Sequence, residues 1–366
     1  MTLSRPAAVV ILAAGAGTRM KSQLPKVLHP ICGVSMLDHV LAAARQVGPA
    51  ELIVVVGHGR RQVAAHLAKA APDARVVVQD RQGGTGHAVR TVTETVGLGH
   101  GTVVVMYGDT PLLRGGTLAT LAAAHAAEPA AVTALTTVLA DPTGYGRILR
   151  NDSGIFAEIV EETDATPAQR AVTEINSGVY AFDSELLADA VKRLPTGNAK
   201  GEEYLTDVVA ILRAEGHHVA TVTIPDSDEV CGVNDRVQLA YARRALNARI
   251  LDGWMRAGAT IVDPLTTLID TGVILEPDAE IGPGTQLTGS TVIEAGARVG
   301  PGCVLRDTAV GRGAVLTHVV GVSARVGPGV TVDPFTYLAP GTELQAGEPG
   351  RPRSGAGLPP RKEAQA

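Results

Sequence analysis

Two glycines, an arginine and a lysine at close spacing are the first residues of this chain that could do chemistry. In AAVVILAAGAGTRMKSQLPKVLHP, residues 7–30, an apolar run from Ala7 to Leu12 leads directly into Gly15 and Gly17, with Arg19 and Lys26 close behind. Glycines let a backbone approach a bound group, and the N–H groups that such a loop exposes favour anionic oxygens. A planar guanidinium and a point-charge ammonium beside that loop suit a polyphosphate. The spacing is not a dinucleotide fingerprint, which needs Gly or Ala where Met20 stands, nor a P-loop, which needs Gly-Lys-Ser or Gly-Lys-Thr. A glycine turn carrying two solvated cations accounts for the same residues, so the stretch alone leaves both readings open.

Two further residues stand at positions where ligands are held. Asp109 closes the run VVVMYGD, residues 103–109, and a carboxylate at the carboxyl end of a buried strand is directed at a ligand more often than at the core. One carboxylate, with substrate phosphate oxygens and waters, is a common way to hold Mg²⁺. Asn234, in EVCGVNDR, reads on its own as a turn residue. Cys32, Cys231 and Cys303 lie far apart without metal-type spacing and read as reduced thiols of a cytoplasmic protein.

The elements that must position these groups follow an α/β grammar up to about residue 236. Ala7–Leu12, ELIVVVGHG, ARVVVQD and VVVMYGD read as strands buried in a parallel sheet, and Ser35 with Asp38 has the spacing of a capping box opening a helix to Gln46. Residues 235–256 place Leu239, Leu246 and Ile250 at helical spacing without proline, which predicts a linker helix. Beyond it an aliphatic residue returns every sixth position, at Leu275, Ile281, Leu287, Ile293, Val299 and Leu305. That period predicts a left-handed parallel β-helix. The phase slips after Leu305 and returns at Val326, Val332, Leu338 and Leu344, so residues 311–325 are expected to form a loop between coils. The stretch from residue 345 onward is rich in Gly, Pro and Arg without periodic apolar positions, and is expected to be disordered.

Taken together, LAAGAGTRMKSQLPKVLHPICG and the motifs that follow resemble the sugar nucleotidyltransferase family, in particular its bifunctional UDP-N-acetylglucosamine pyrophosphorylases, whose C-terminal half also transfers acetyl groups to glucosamine 1-phosphate. The resemblance implies a Rossmann-like nucleotidyltransferase domain over 1–236, a linker helix over 237–256, an incomplete β-helix over 257–344 and a tail over 345–366. It implies Mg²⁺-dependent conversion of UTP and N-acetylglucosamine 1-phosphate to UDP-N-acetylglucosamine and pyrophosphate, for cell-wall synthesis. Leu12, Ala13, Ala14 and Gly15 would approach the nucleotide, as would Gly84, Thr85, Tyr107 and Gly108. Arg19 and Lys26 would act on the phosphates, and Asp109 with Asn234 would share the ion. Gln79, whose amide both donates and accepts, would match the imide edge of uracil. Gly146, Glu161, Asn176, Tyr204 and Thr206 would face the acetamido sugar. His87 would be a packed or helix-capping residue.

The pattern departs from the family in two places. Gly83 stands where the family usually has Leu, which bears on uridine selection, and Ala339, in PFTYLAPGT, stands where it has Arg. After Leu344 the match stops. Downstream of Lys200 the only lysine is Lys362, and the only histidine after His218 is His318. The second activity is therefore expected to be absent, while the shortened prism is expected to assemble a homotrimer. Another nucleotide-sugar pyrophosphorylase, or a non-catalytic scaffold on this fold, are the alternative readings.

Composition bounds the remaining classes. Aromatics make up 3% of the 366 residues, so Ala, Val, Leu and Ile must build the cores. A net charge of −5 without a basic block outside the last residues argues against nucleic acid or an acidic membrane surface as partner. Glycines and Arg19 interrupt the N-terminal apolar run before a signal peptide develops, and no apolar run is long enough to span a bilayer.

Overall fold

The apolar run that opens the chain is strand β1 (Ala8–Ala13), all six residues of which are buried, as a strand covered on both faces requires. The computed structural model describes residues 5–128, 130–198 and 201–345. After β1 come the hairpin β2 (Pro30–Ile31) and β3 (Val34–Ser35), α1 (Met36–Gln46), β4 (Glu51–Val56), α2 (Arg60–Ala70) and β5 (Arg75–Val78). Then follow α3 (Thr85–Thr95), β6 (Thr102–Tyr107), α4 (Gly115–Ala127), β7 (Val132–Val138), β8 (Arg147–Arg150), β9 (Phe156–Val160) and α5 (Pro167–Arg170). The first unit is completed by β10 (Glu174–Asp183), α6 (Ser184–Ala190), α7 (Thr206–Ala214) and β11 (Val219–Ile224). Ser35 caps α1 as its spacing with Asp38 predicts, each side chain satisfying the other residue's backbone N–H.

The strands form one mixed sheet in the order β11-β7-β10-β6-β1-β4-β5, with β8 and β9 attached through β10. β1 runs parallel to both β4 and β6, with Ile11 beside Val54 and Met106, whereas β10 is antiparallel to β6 and β7. The chain steps from β1 outward through β4 and β5 and returns to the other side of β1 as β6. This reversal is the topological switch point, where an open α/β sheet leaves a crevice at its carboxyl edge. Apolar layers fill both faces, one around Val10, Val103 and Val105 and the other around Val9, Ile11, Val54 and Met106. Tyr180 and Phe182 are its largest buried aromatics.

Helix α8 (Arg236–Arg256) follows, and the division between the two compact units of the chain falls within it, between Ala242 and Arg243. The second unit is a left-handed parallel β-helix whose three faces each hold five short strands. Its interior is a column of aliphatic side chains, among them Leu275, Ile281, Leu287, Ile293, Val299 and Leu305, each at most 4% exposed. The expected loop over 311–325 is not there. Val315–Leu316, Val320–Val322 and Arg325–Val326 continue the three faces in register. Ile281 pairs with Val299, eighteen residues on, Ile293 with Val310, seventeen on, and Leu305 with Gly321, sixteen on. The slip is thus taken up at three corners, between Leu305 and Val310, Leu316 and Gly321, and Gly321 and Val326. Each has a non-glycine residue in the left-handed region, Asp307, His318 and Ser323, so the chain turns one residue sooner and the inward positions stay aligned. The tail expected to be disordered lies, from residue 346, outside the described residues.

Candidate active site

At the switch point a cleft of about 460 Å³ opens, within the size range of small-molecule sites. Leu12, Ala14, Gly15, Ala16, Gly17, Thr18 and Arg19 line one side of it. The loop is held by its neighbours: the Gly108 N–H donates to Leu12 O at 2.9 Å and the His58 N–H to Ala14 O at 3.1 Å. Its two glycines serve different ends. Gly17 has a φ of +59°, and a Cβ there would sit 2.7 Å from Lys26 Cβ, so this glycine is what lets Lys26 pack beneath the loop. Nothing lies within 4 Å of where a Gly15 side chain would be, which leaves its backbone open toward the cleft.

Opposite the loop, Lys26 joins two residues that sequence treats separately. Its Nζ forms an ion pair with Asp109 Oδ2 and donates to Asn234 Oδ1 at 3.0 Å, with the Lys26 and Asp109 side chains 12% and 19% exposed. Asp109 does not end the strand as expected. β6 stops at Tyr107, and Asp109 lies two residues on, in the turn beyond the sheet edge, where its carboxylate is free of the ladder. Its carbonyl accepts from the Val233 N–H at 2.9 Å, which brings the GVN segment alongside. Asp235 Oδ1 then caps α8 by accepting from Val237 and Gln238 N–H, while the Arg236 guanidinium donates to Met20 O and ties this end to the Arg19 loop. Arg19 itself is exposed at the cleft rim.

The third wall is Gln79, Gln82, Gly84, Thr85 and Ala88. The segment leading into α3 is clamped on residues 203–205. Glu203 N–H donates to Gly83 O at 2.7 Å, Gly86 N–H to Glu203 O at 2.8 Å, and Leu205 N–H to Thr85 Oγ1 at 3.0 Å. The Arg90 guanidinium grips the Glu203 carboxylate through two nitrogens, at 2.7 and 2.9 Å, and this holds the carboxyl below its usual range. Gln79 is 5% exposed and donates through its amide nitrogen to Gly84 O, at 3.0 Å. His87, expected to be packed or helix-capping, sits half-buried in the first turn of α3 with Nδ1 2.9 Å from that same nitrogen, and it does not cap the helix.

Sequence-named residues outside the cleft lining are Ala13, Gly108, Gly146, Glu161, Asn176, Tyr204 and Thr206. Ala13 and Gly108 lie buried beneath it in β1 and the turn after β6. The other five gather around β8, β9 and β10: Asn176 N–H donates to Gly146 O at 2.8 Å, and Thr206 Oγ1 donates to Glu161 Oε1 at 3.1 Å. Tyr107 connects the two groups. It lines the cleft, bonds to Thr85, and its phenol is pushed upward by burial and then by the Glu161 and Asp109 carboxylates. Gln82, Thr18 and Ala16 also line the cleft and carry no sequence signal beyond proximity to the glycine loops, and Glu202, which lines it too, lies far from both loops in sequence.

Positive charge, open backbone and paired oxygen donors in one crevice are suited to holding and neutralising a nucleoside triphosphate, which places the protein among the nucleotidyltransferases. The MobA-like NTP transferase domain matches residues 9–177. The chain is 55% identical over 346 residues to the bifunctional protein GlmU of Streptomyces coelicolor, covering 94% of this chain and 72% of that protein. It is 56% identical over 332 residues to the GlmU of Thermobifida fusca (90% and 69% covered) and 53% identical over 347 residues to that of Mycolicibacterium vanbaalenii (93% and 70%). The chain belongs to the bifunctional GlmU family, and its enzyme class is that of a sugar-nucleotide uridylyltransferase, a UDP-N-acetylglucosamine diphosphorylase. Among the described residues no helix is long and apolar enough to cross a membrane.

Proposed function

We propose that this chain catalyses Mg²⁺-dependent transfer of uridylyl from UTP to N-acetylglucosamine 1-phosphate, with residues 1–236 carrying the reaction, 237–256 linking and 257–344 serving assembly. The observation that carries the reading is the Lys26 ammonium shared between Asp109 and Asn234 in the cleft that Arg19 and the Gly15–Gly17 loop also line. Two oxygen donors, one anionic and one neutral, already share one cation in this arrangement, so the donor set fits a hard divalent ion. Asp109 and Asn234 would hold Mg²⁺, which would supply charge neutralisation at phosphate oxygens.

The chemistry is an in-line displacement. A phosphate oxygen of the sugar phosphate forms a bond to the α-phosphorus of UTP, the bond from that phosphorus to the bridging oxygen breaks, and pyrophosphate leaves with the electron pair. Charge builds on phosphate oxygens, so Arg19 and Lys26 act by neutralising it and the open backbone at Gly15 by positioning it. Leu12, Ala14, Gln79, Gly84 and Thr85 would enclose the uridine. Gly146, Glu161, Asn176, Tyr204 and Thr206 would bind the sugar, with Tyr107 between them and the nucleotide. Hydroxyl-pairing groups of this kind select strongly, because a wrong sugar leaves them unpaired.

We further read the chain as a cytoplasmic homotrimer. Leu268, Ile274, Val304, Val320 and Tyr337 are exposed on outer positions of the β-helix and supply apolar surface for subunit packing. Acetyl transfer is not assigned to these residues: His318 is stacked on Phe335 with ring centroids 5.2 Å apart and forms a tight corner, a structural role. The test is pyrophosphate release with UTP and a panel of sugar 1-phosphates, with and without Mg²⁺, beside an acetyl-coenzyme A assay with glucosamine 1-phosphate. Release that prefers N-acetylglucosamine 1-phosphate and needs Mg²⁺ is expected, and equal turnover in chelator or with any hexose phosphate would refute the assignment. Sedimentation at micromolar concentration that finds only monomer would remove the trimer.

A further inference from the structure

His87 is not among the residues that line the cleft, but it contacts Gln79, which is, and that contact determines which end of the Gln79 amide is left for the cleft. The Gln79 amide nitrogen lies 3.0 Å from Gly84 O and 2.9 Å from His87 Nδ1. A backbone carbonyl only accepts, so Gly84 O identifies that end of the amide as the NH₂ group. The same NH₂ then donates to His87 Nδ1, which must be unprotonated, with the ring proton on Nε2. Both amide donors are thereby committed inside the protein, and what Gln79 has left for the cleft is its carbonyl oxygen. That is narrower than the donor-and-acceptor role expected of this residue. An acceptor at the base edge pairs with the N3–H of uracil and opposes the bare N3 of cytosine.

We propose that His87 is a positioning residue that makes the cleft select uracil over cytosine, by holding the Gln79 amide with its oxygen toward the base. The proposal rests on the uridylyl-transfer reading above and adds the origin of its base selectivity. Gly83 belongs to the same device. A Cβ at Gly83 would sit 2.9 Å from His87 Cγ, so the glycine that departs from the family pattern is the one that gives the imidazole its seat.

The arrangement is sensitive to pH. Burial holds the His87 imidazole below its ordinary value; Arg90 and Arg81 act in the same direction, and Glu203 and Glu94 oppose them. At neutral pH the ring is therefore neutral and Nδ1 accepts. Protonation would set an N–H against the Gln79 NH₂, and turning the amide over instead would set its oxygen against Gly84 O. Uracil selection is thus present above the lowered pKa and lost as pH falls through it.

The measurement is the ratio of kcat/KM for UTP to that for CTP, in pyrophosphate release by the full chain, from about pH 8 to about pH 5.5. Both nucleotides carry the same triphosphate, so its own titration cancels. In the wild-type protein the ratio should fall on the acid side. His87→Phe keeps the ring and removes the acceptor, and should lower the ratio about tenfold at neutral pH, with KM for UTP rising more than kcat falls. His87→Asn supplies a non-titrating acceptor, and should restore the neutral ratio and flatten its pH profile. A folded His87→Phe protein with the wild-type ratio, or a His87→Asn protein with the wild-type acid dependence, would overturn the assignment. Should His87→Phe not fold, the comparison of wild type with His87→Asn decides it. A wild-type protein that releases no pyrophosphate from UTP would overturn the uridylyl reading and this inference together, whereas an active one with an unmoved ratio overturns this inference alone.

Discussion

The cleft has a charged wall and a neutral wall, and they are assembled in opposite ways. Lys26, Asp109 and Asn234 meet from positions 83 and 208 residues apart, brought together by the return of β6 beside β1 and by the Val233 N–H bond to Asp109 O. Gln79, Gly84, Thr85 and His87 lie within a single short stretch, held as a unit against residues 203–205. The charged wall holds its like and unlike charges in a fixed arrangement through the whole sheet, which suits charge that develops during reaction. The neutral wall is a local network of directional hydrogen bonds, which suits discrimination between bases of the same size. Rate should therefore depend on the first wall and choice of substrate on the second.

Substitutions that separate the walls would break or sharpen this contrast. Asp109→Ala should lower kcat about 10³-fold, because the carboxylate that would hold Mg²⁺ against the phosphate oxygens is lost, with a small change in the thermal midpoint. Normal turnover in that protein would end the division. Lys26→Met keeps the packed stem under Gly17 and removes the ammonium; kcat should fall about 10²-fold, with the UTP-to-CTP ratio preserved in steady-state assays. On the neutral wall Gln79→Ala should raise KM for UTP about tenfold and flatten base selectivity while changing kcat less. A larger effect on kcat than on KM would place Gln79 with the charged group. The smallest effect is expected from Gly83→Ala: its Cβ must shift the His87 ring, and a few-fold loss of UTP preference, measured by competition between UTP and CTP, is expected.

A second contrast, between the sheet unit and the β-helix, shows what kind of information is legible in one dimension. Buried strands such as β1 and the Ser35–Asp38 cap of α1 depend on neighbours in sequence, and their residues alone predict them. The column Leu275 to Leu305 is legible because each inward residue meets its equivalent one coil on, so packing has a period. The returning register at Val326, Val332, Leu338 and Leu344 is legible in the same way, and only the stretch between Leu305 and Val326 is not: three corners shortened by one residue shift the apparent period there without interrupting the faces. The left-handed conformations at Asp307, His318 and Ser323 that absorb those deletions occur at residue types that carry no glycine signal.

At the cleft, residue type and local spacing determined by themselves that Gly15, Gly17, Arg19 and Lys26 could meet a polyphosphate, that Asp109 stood near a strand end, and that Gln79 had an amide to offer a base. They also determined an α/β sheet followed by a parallel β-helix. Only tertiary structure decided that Lys26 lies between Asp109 and Asn234, and that Gly84 O and His87 leave Gln79 its carbonyl oxygen. The physical reason is that chemical capacity resides in a side chain and travels with its sequence position. The direction in which a donor or charge is used depends on partners that the chain brings into contact only by folding.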